Sequence, residues 1–344
     1  MRCLELLVPA LFWPDAAALG NREALEAPAL DALFARGARQ PQAGPGVDTW
    51  LARRFDLDLD QELPLAAIGL AGDGGAAAGR IWLRADPVHL HAQGTELYLT
   101  RGAELAIQAR EADAMVAALN ELFSSDGLRF DARHPHQWYL ALDRTPKLRT
   151  TPLDLVHGRS IGPLLPAGDD AAWWQQRISE AQMLLHGLAV NEAREARGDA
   201  PVNSLWIWGA GALPARISRV FDAVYSRDAV TRGLASVSGA RVDAPPDAAV
   251  ALLRSDSADT RLVRLDDAGD AAARGDFDAW RGAISALSTD WVRPALEAMH
   301  RGRLGRLTLT GFAGRTGLAV GASRRDLWRF WRPRAPYASW RPAP

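Results

Sequence analysis

The spacing of apolar positions changes several times along the chain, and each change predicts an element. Residues 4–12 form an apolar run too continuous to alternate, which predicts a buried first strand. From Pro28 the period becomes helical: Leu30, Leu33 and Phe34 share a face, proline suits a first turn, and Gly37 stands where a terminating glycine belongs. Pro45-Gly46 reads as a turn into a short helix over 47–55. Small residues fill 72–79, a permissive linker. After it, 81–90 and 96–100 read as strands joined by a turn at Gln93-Gly94. Met115, Ala118, Leu119 and Leu122 give 111–123 helical spacing, and 138–142 reads as a strand. A long amphipathic helical stretch follows over 169–197, with Gly187 as its break. The remainder reads as strand 205–208 ending in Gly209-Ala210-Gly211, helix 217–225, strands 249–253 and 260–265, helix 277–300, and strands 306–310 and 318–320.

Strands alternating with helices imply parallel strand–helix–strand units, whereas the strand, strand, helix, strand order in the middle implies an antiparallel α+β domain. The expected class is α/β, a mostly parallel sheet flanked by helices. Its core comprises 1–77 and 169–344, and 78–168 is inserted as a cap.

At 344 residues the chain exceeds one small domain, and 48% apolar against 24% charged residues is a globular balance. A formal net charge of −1 gives no field that would draw it to nucleic acid or an anionic membrane. Cys3 is the single cysteine, so an intramolecular disulfide or a multi-cysteine zinc site is excluded. The early apolar stretch at 6–13 is interrupted by Pro9 and lacks a basic flank. It reads neither as a leader nor as a membrane span, and the cytoplasm is the expected location. The thirteen tryptophans are expected mostly in the core, each needing a partner for its N–H.

Candidate chemistry is sparse. His89 and His91, two apart on a strand, share a face and with Glu96 would offer a weak zinc site. Trp208-Gly209-Ala210-Gly211 closes a strand where ligands dock in open α/β sheets. A pocket there would take its polar lining from Asn191, Arg194, Asn203 and Arg232. In the tail, Leu327, Phe330 and Trp331 share a helical stripe among arginines, which reads as a terminal helix docked on the core.

Several strings, in order, resemble the archaeal-type cofactor-independent phosphoglycerate mutases of the alkaline phosphatase superfamily. They are Ala27-Pro28-Ala29-Leu30-Asp31-Ala32-Leu33, then Glu111 with Asn120 and Phe130, Thr151-Pro152-Leu153-Asp154, and Asn191-Glu192-Ala193-Arg194. Gly198, Pro201-Val202-Asn203 and Leu205-Trp206-Ile207-Trp208-Gly209-Ala210-Gly211 complete the series. Arg84-Ala85-Asp86-Pro87-Val88-His89-Leu90 and Arg329-Phe330-Trp331-Arg332 are similar to a proteobacterial branch, the regulator-of-pathogenicity-factors protein E family. The resemblance implies an alkaline-phosphatase-like core with an inserted α+β cap.

It also implies a phosphoserine intermediate beside two divalent metals, and here the residues depart. Val47, in Pro45-Gly46-Val47-Asp48, stands at the serine position. The first strand runs into Pro9-Ala10-Leu11 with no Asp-Gly, and Asp15 arrives late. Asp267 and Asp270 remain of a ligand motif whose histidine is missing, and Gly311-Phe312 replace an Asp-His pair. The implied expectation is a non-catalytic relative with a regulatory or ligand-sensing role. No cofactor is expected, and the partner is a small anionic metabolite or a protein. The alternatives are an enzyme of changed chemistry drawing on Asp48, Asp86, His89 and Asp267, or a structural partner-binding protein.

Overall fold

A computed structural model describes residues 2–13, 25–42, 44–102, 104–156, 158–255, 258–328 and 337. Contacts divide the chain into two compact units, Met1–Asp56 with Ile217–Pro344, and Leu57–Arg216.

The first unit is built on β1 (Cys3–Val8), α1 (Pro28–Arg36), β2 (Ala38–Gln42) and α2 (Gly46–Arg54). Its order across the sheet is β2-β12-β11-β1-β10-β8-β9, where β8 is Ala223–Tyr225, β9 Arg241–Asp243, β10 Thr260–Arg264, β11 Arg306–Ala313 and β12 Thr316–Ser323. The strands from β11 to β9 run parallel, and β12 and β2 close one edge antiparallel. Leu6 lies between Val263 and Leu309 in register. One face, carrying Leu4, Leu6, Val8, Leu307 and Leu309, packs against Leu30, Leu33 and Phe34 of α1 and against the helices that follow β8. By the two-residue period, Glu5, Leu7, Thr308 and Thr310 point to the other face, where Arg54 of α2 reaches Glu5 at 2.7 Å.

Helix α1 starts with Pro28 in its first turn, as expected, but Ala27 has no capping oxygen. Ser288 supplies one from a distant segment, accepting the Ala29 N–H at 3.1 Å. Ser288 belongs to a π-turn, Leu287–Val292, that joins α10 (Phe277–Ala286) to α11 (Arg293–His300). The expected single helix over 277–300 is therefore broken. Pro294 removes a helical donor and crowds the carbonyl four residues back, which a widened turn relieves.

Two further readings are corrected here. Residues 217–222 are irregular and Ala223–Tyr225 is a buried strand, because Ala-Val-Tyr completes the parallel sheet between β10 and β9. Residues 249–253 belong to α8 (Ala249–Ser255). Ala249 and Leu252 are buried while Val250 is exposed, a helical face that a short apolar run does not distinguish from a strand. The remaining helices are α7 (Ala229–Val237) and α9 (Asp267–Ala273).

The second unit is an antiparallel sheet, β4-β3-β6-β5 with β7 added on β3. Its strands are β3 (Ile81–Gln93), β4 (Glu96–Arg101), β5 (Arg129–His134), β6 (Gln137–Leu142) and β7 (Ser204–Ala212). Residues from α4 (Ala109–Leu122) and α5 (Ala171–His186) cover one face. There Met115, Leu119 and Trp174 meet Leu83, Trp138 and Ile207. From the other side α3 (Leu65–Gly72) packs Ala66, Ala67 and Leu70 on Trp82 and Tyr139. Gly187 separates α5 from α6 (Ala189–Ala196), as expected.

The stretch 72–79 is not an open linker. The Gly75 N–H donates to the Leu70 carbonyl at 2.8 Å, and a Cβ on Gly75 would lie 2.4 Å from the Leu70 side chain. Its small residues serve a close packing turn. Because β7 pairs with β3 over Ile81–Val88, the expected boundaries at 77/78 and 168/169 both fall inside this unit.

Candidate functional site

Of the positions singled out for chemistry in the first unit, Gly311 and Phe312 lie toward the carboxyl end of β11, beside that of β1, where open α/β sheets place their ligands. Val8 is opposite Gly311 in register. Beyond it the chain turns at Ala10, which has φ of 51°, and folds back. Leu11 donates its N–H to the Val8 carbonyl and Phe12 to the Phe312 carbonyl, each at 3.2 Å. The Ala10 carbonyl accepts from the Trp280 indole at 2.8 Å.

This return path drives Leu11 against the sheet. A Cβ on Gly311 would lie 2.2 Å from the Leu11 side chain, so only glycine leaves room there. Leu11, Phe12 and Phe312 are all buried. Tyr337 stacks on Phe12 at 5.7 Å, meets Phe34 edge-on at 5.3 Å and donates its hydroxyl to the Leu11 carbonyl. The apex over β1 and β11 is thus filled by hydrocarbon and rings. Val47 is half-buried in the first turn of α2, and the Thr49 hydroxyl donates to the Pro45 carbonyl at 2.9 Å. Asp15 and the string 329–332, including Phe330 and Trp331, lie outside the described residues; Leu327 is buried in a short 3-10 turn, Asp326–Trp328.

One polar atom near this apex is left over. The Thr310 hydroxyl is buried and has no hydrogen-bond partner among the described residues. Such a group carries a desolvation cost with nothing returned, so Thr310→Val is expected to stabilise the protein by about 1 kcal/mol. A urea midpoint equal to or below wild type would contradict that.

Charge is concentrated beside the plug, at the end of β10. The Arg264 guanidinium donates to Asp266 at 2.7 Å and to the Thr231 hydroxyl at 3.1 Å, and pairs with Asp228 at 2.6 Å. Asp48 adds its charge to the same group. Burial disfavours the Arg264 charge, but Asp228, Asp266 and Asp48 more than offset this and hold it protonated. Burial pushes the Asp266 carboxyl above its ordinary value; Arg264 opposes that shift and Asp228 and Asp270 reinforce it. A cavity of about 150 Å³ opens alongside, lined by Arg227, Arg264, Asp266, Asp267, Pro246 and Trp291. Asp267 is largely exposed, 3.8 Å from Arg227.

The candidates of the second unit are engaged by the fold. Asn191 donates to the Leu185 and Val202 carbonyls and accepts from the Val202 N–H. Arg194 bonds Glu111 at 2.6 Å and the Ala200 and Leu105 carbonyls. Asn203 closes a two-bond bracket on the backbone of Leu90. The Trp208 indole donates to Asp86 at 2.8 Å. Gly209 has φ of 70°, and a Cβ there would lie 3.1 Å from Leu65, while one on Gly211 would lie 2.6 Å from Pro64. These glycines admit the close approach of Pro64 and Leu65 at the start of α3. The Gly209 N–H donates to the Thr150 hydroxyl, which bonds Glu62. Burial raises the Glu62 carboxyl, and the Thr150 hydrogen bonds pull the other way. Arg232 belongs to the first unit, exposed on α7.

His89 and His91 do stack on one strand face, with ring centroids 6.0 Å apart. His89 Nδ1 is 2.8 Å from the Pro201 carbonyl, and the Tyr98 hydroxyl donates to Glu96. Among the described residues no group of three or more His, Cys, Asp or Glu is arranged to hold a metal ion.

No protein-family profile matches the chain. A 2,3-bisphosphoglycerate-independent phosphoglycerate mutase of Methanosarcina mazei is 28% identical over 214 residues, 57% of this chain and 52% of its own length. One of Methanothrix thermoacetophila is 29% identical over 44% of this chain and 43% of its own length. A probable mutase of the same kind from Geobacter sulfurreducens is 26% identical over 64% of this chain and 60% of its own length. The chain is a distant homologue of these mutases. It spans about half the length of the curated relatives it matches. Among solved structures, the PH0037 protein of Pyrococcus horikoshii aligns over 95% of this chain and 92% of its own at 17% identity, with a TM-score of 0.55. A cofactor-independent phosphoglycerate mutase of Thermoplasma acidophilum aligns over 94% and 89% at 17% identity, with a TM-score of 0.44. The fold, an α/β arrangement with a parallel-rich sheet flanked by helices, is shared with the PH0037 protein.

The mutase-like strings of the second unit are therefore its brackets. Asn120, Asn191, Arg194 and Asn203 tie side chain to backbone across segments, Asn120 doing so to Phe130, while Glu111 caps its own helix and pairs with the Arg194 and Arg197 side chains. Sequence reading missed the Arg264 cluster and the buried Arg84. Arg84 carried a usable signal, an arginine within the apolar first half of a strand. Tyr337 carried none. Among the described residues, no helix is long and apolar enough to cross a membrane.

Proposed function

We propose that this chain is a non-catalytic phosphoglycerate-mutase-like protein of the cytoplasm, used to sense a small anionic metabolite or to regulate a protein partner. The observation that carries this reading is the occupied apex: Leu11 lies where any side chain at position 311 would begin. The mutase reaction needs a hydroxyl nucleophile and divalent metals to lower its pKa and neutralise the moving phosphoryl group. Val47 has no oxygen, and the Pro9-Ala10-Leu11 and Gly311-Phe312 segments offer hydrocarbon where carboxylate and imidazole donors are required. The residues present do not fit a two-metal clamp. The likeness of 84–90 to the regulator-of-pathogenicity-factors branch supports the regulatory half of the reading.

Interconversion of 2- and 3-phosphoglycerate by the wild-type chain with manganese tests it directly, and the expected rate is that of the buffer. Val47→Ser is expected to remain at that rate as well, because a serine without metal stays un-ionised. Measurable turnover by wild type would overturn the proposal. Calorimetric titration with phosphoglycerates and nucleotides identifies a sensed anion, and a phosphatase and phosphodiesterase panel reports any changed chemistry.

A further inference from the structure

Asn191, Arg194 and Asn203 are spent on the fold, so an anion needs another place in the chain. A groove of about 310 Å³ runs between α1 and α11 of the first unit, a volume within the range of small-molecule sites. Pro28, Ala29 and Leu296 give it an apolar wall, and Arg36, Arg293 and His300 stand along it. Leu296 and His300 follow Arg293 by three and seven positions, which sets all three on one face of α11. Arg36 belongs to the last turn of α1. Beside Arg264 each cation faces carboxylates, but here Arg36, Arg293 and His300 have no carboxylate partner among the described residues. Glu297, the one carboxylate among the lining residues, pairs instead with Arg301 at 3.4 Å. Ser288 also lines the groove and is 1% exposed. Its oxygen accepts the Ala29 N–H, while among the described residues its own proton is donated to no acceptor. A buried hydroxyl keeps an unspent donor at a cost, and the oxygen of a bound anion is a partner that would use it.

We propose that this groove binds a small organic anion, whose phosphate or carboxylate groups are engaged by Arg36 and Arg293 while the Ser288 hydroxyl donates to one of their oxygens. The proposal rests on the metabolite-sensing reading above and gives it a place away from the plugged apex. A guanidinium fork meets two oxygens of a carboxylate or phosphate at once and stays charged while doing so. Arg293 and His300 begin and end α11, about 10 Å apart along its axis. An elongated ligand with an anionic group at each end therefore meets a donor at both, and its carbon skeleton lies against Pro28 and Leu296. A ligand with a single anionic group uses only one end of the groove.

The test titrates the full chain calorimetrically, at low salt and without added metal, with 3-phosphoglycerate, glutarate and butyrate. The first two are expected to bind one per chain with a Kd on the order of 10⁻⁴ M, and butyrate about tenfold more weakly or worse. Arg293→Gln, a change at an exposed position, should weaken both dianions by about tenfold, and Arg36→Gln added to it by about a hundredfold in all. Arg110→Gln, at an exposed arginine of α4 in the second unit, should leave both affinities where they are. Thermal unfolding reports that each variant is folded; should the double variant not be, Arg293→Gln alone decides. Undiminished binding of both dianions by Arg293→Gln would overturn the groove and leave anion sensing in place at another site. A wild-type chain that binds neither 3-phosphoglycerate nor glutarate overturns it as well. Glutarate is no substrate of a mutase, so it reads the groove independently of catalysis. Turnover of phosphoglycerate by wild type would sink the non-catalytic reading, a separate result that leaves the glutarate titration to stand or fall by itself.

Discussion

Replacing Asp86 by alanine is expected to cost the second unit about 3–5 kcal/mol, the loss found when a buried ion pair is deprived of one partner. Asp86 is 1% exposed, and its two oxygens take four hydrogen bonds. These come from Nε and Nη2 of Arg84, the Trp138 N–H and the Trp208 indole. Arg84 is just as enclosed. Its guanidinium lies 4.8 Å from the Tyr139 ring centre and 5.3 Å from that of Trp208. Burial disfavours its charge, and the neighbouring Asp86 charge is the main influence that outweighs this. The aromatic walls attract a cation but by only about 0.5–2 kcal/mol. Without Asp86 they leave the charge uncompensated. Asp86→Asn keeps an acceptor for the indole while removing the charge, so it should fall nearer alanine than wild type. Arg84→Met with Asp86→Ala removes both charges and should be more stable than the sum of the single losses predicts. Urea unfolding followed by tryptophan emission reads all three. A loss below about 1 kcal/mol in Asp86→Ala, the scale of an exposed pair, would show that the pair does not hold this sheet together.

Asp86 also shows how far the sequence could be read. Periodicity located α1, α4, the break at Gly187 and most of the central strands, because those elements bury one continuous face and little else competes. It failed at 217–225 and 249–253, where three to five apolar residues satisfy either period and the parallel sheet decides. Resemblance pointed to Val47, Gly311 and Phe312; the last two lie on β11 beside the turn at Ala10, and Val47 lies in the first turn of α2. What it could not supply was the filler: Leu11 reaches Gly311 only because the chain reverses at Ala10, and Tyr337 arrives from a segment remote in sequence. Asn191, Arg194 and Asn203 have the chemistry of a ligand pocket, but amides and guanidinium groups also serve buried backbone, and here they do. Spacing does not separate the two uses. The competing partner is a carbonyl or N–H from elsewhere in the chain, visible only after folding.

Arg194 provides the second large effect. Its side chain is 1% exposed and spends its donors on Glu111 at 2.6 Å, the Ala200 carbonyl at 3.0 Å and the Leu105 carbonyl at 2.5 Å. It therefore ties α6 and the following loop to α4 and the segment before it. Arg194→Met keeps the volume and removes the charge, leaving Glu111 5% exposed with a weaker set of partners. The expected cost at neutral pH is about 3–5 kcal/mol. Arg197, the second partner of Glu111, is 43% exposed, and Arg197→Met should cost much less than Arg194→Met. Acid separates this account from a mere packing defect. Burial raises the Glu111 carboxyl, but hydrogen bonds from the Gln108 N–H, Arg197 and Arg194 outweigh it and leave the pKa below its ordinary value. A carboxylate with a depressed pKa contributes stability in full above its unfolded pKa. It loses that contribution as pH falls through the lower, folded value. Removing Arg194 withdraws part of the depression. The gap between wild type and Arg194→Met should then narrow on acidification, as Glu111 takes a proton in the variant first. A gap that stays constant from neutral pH into the acid range would assign the loss to packing and leave the ion pair without an energetic role.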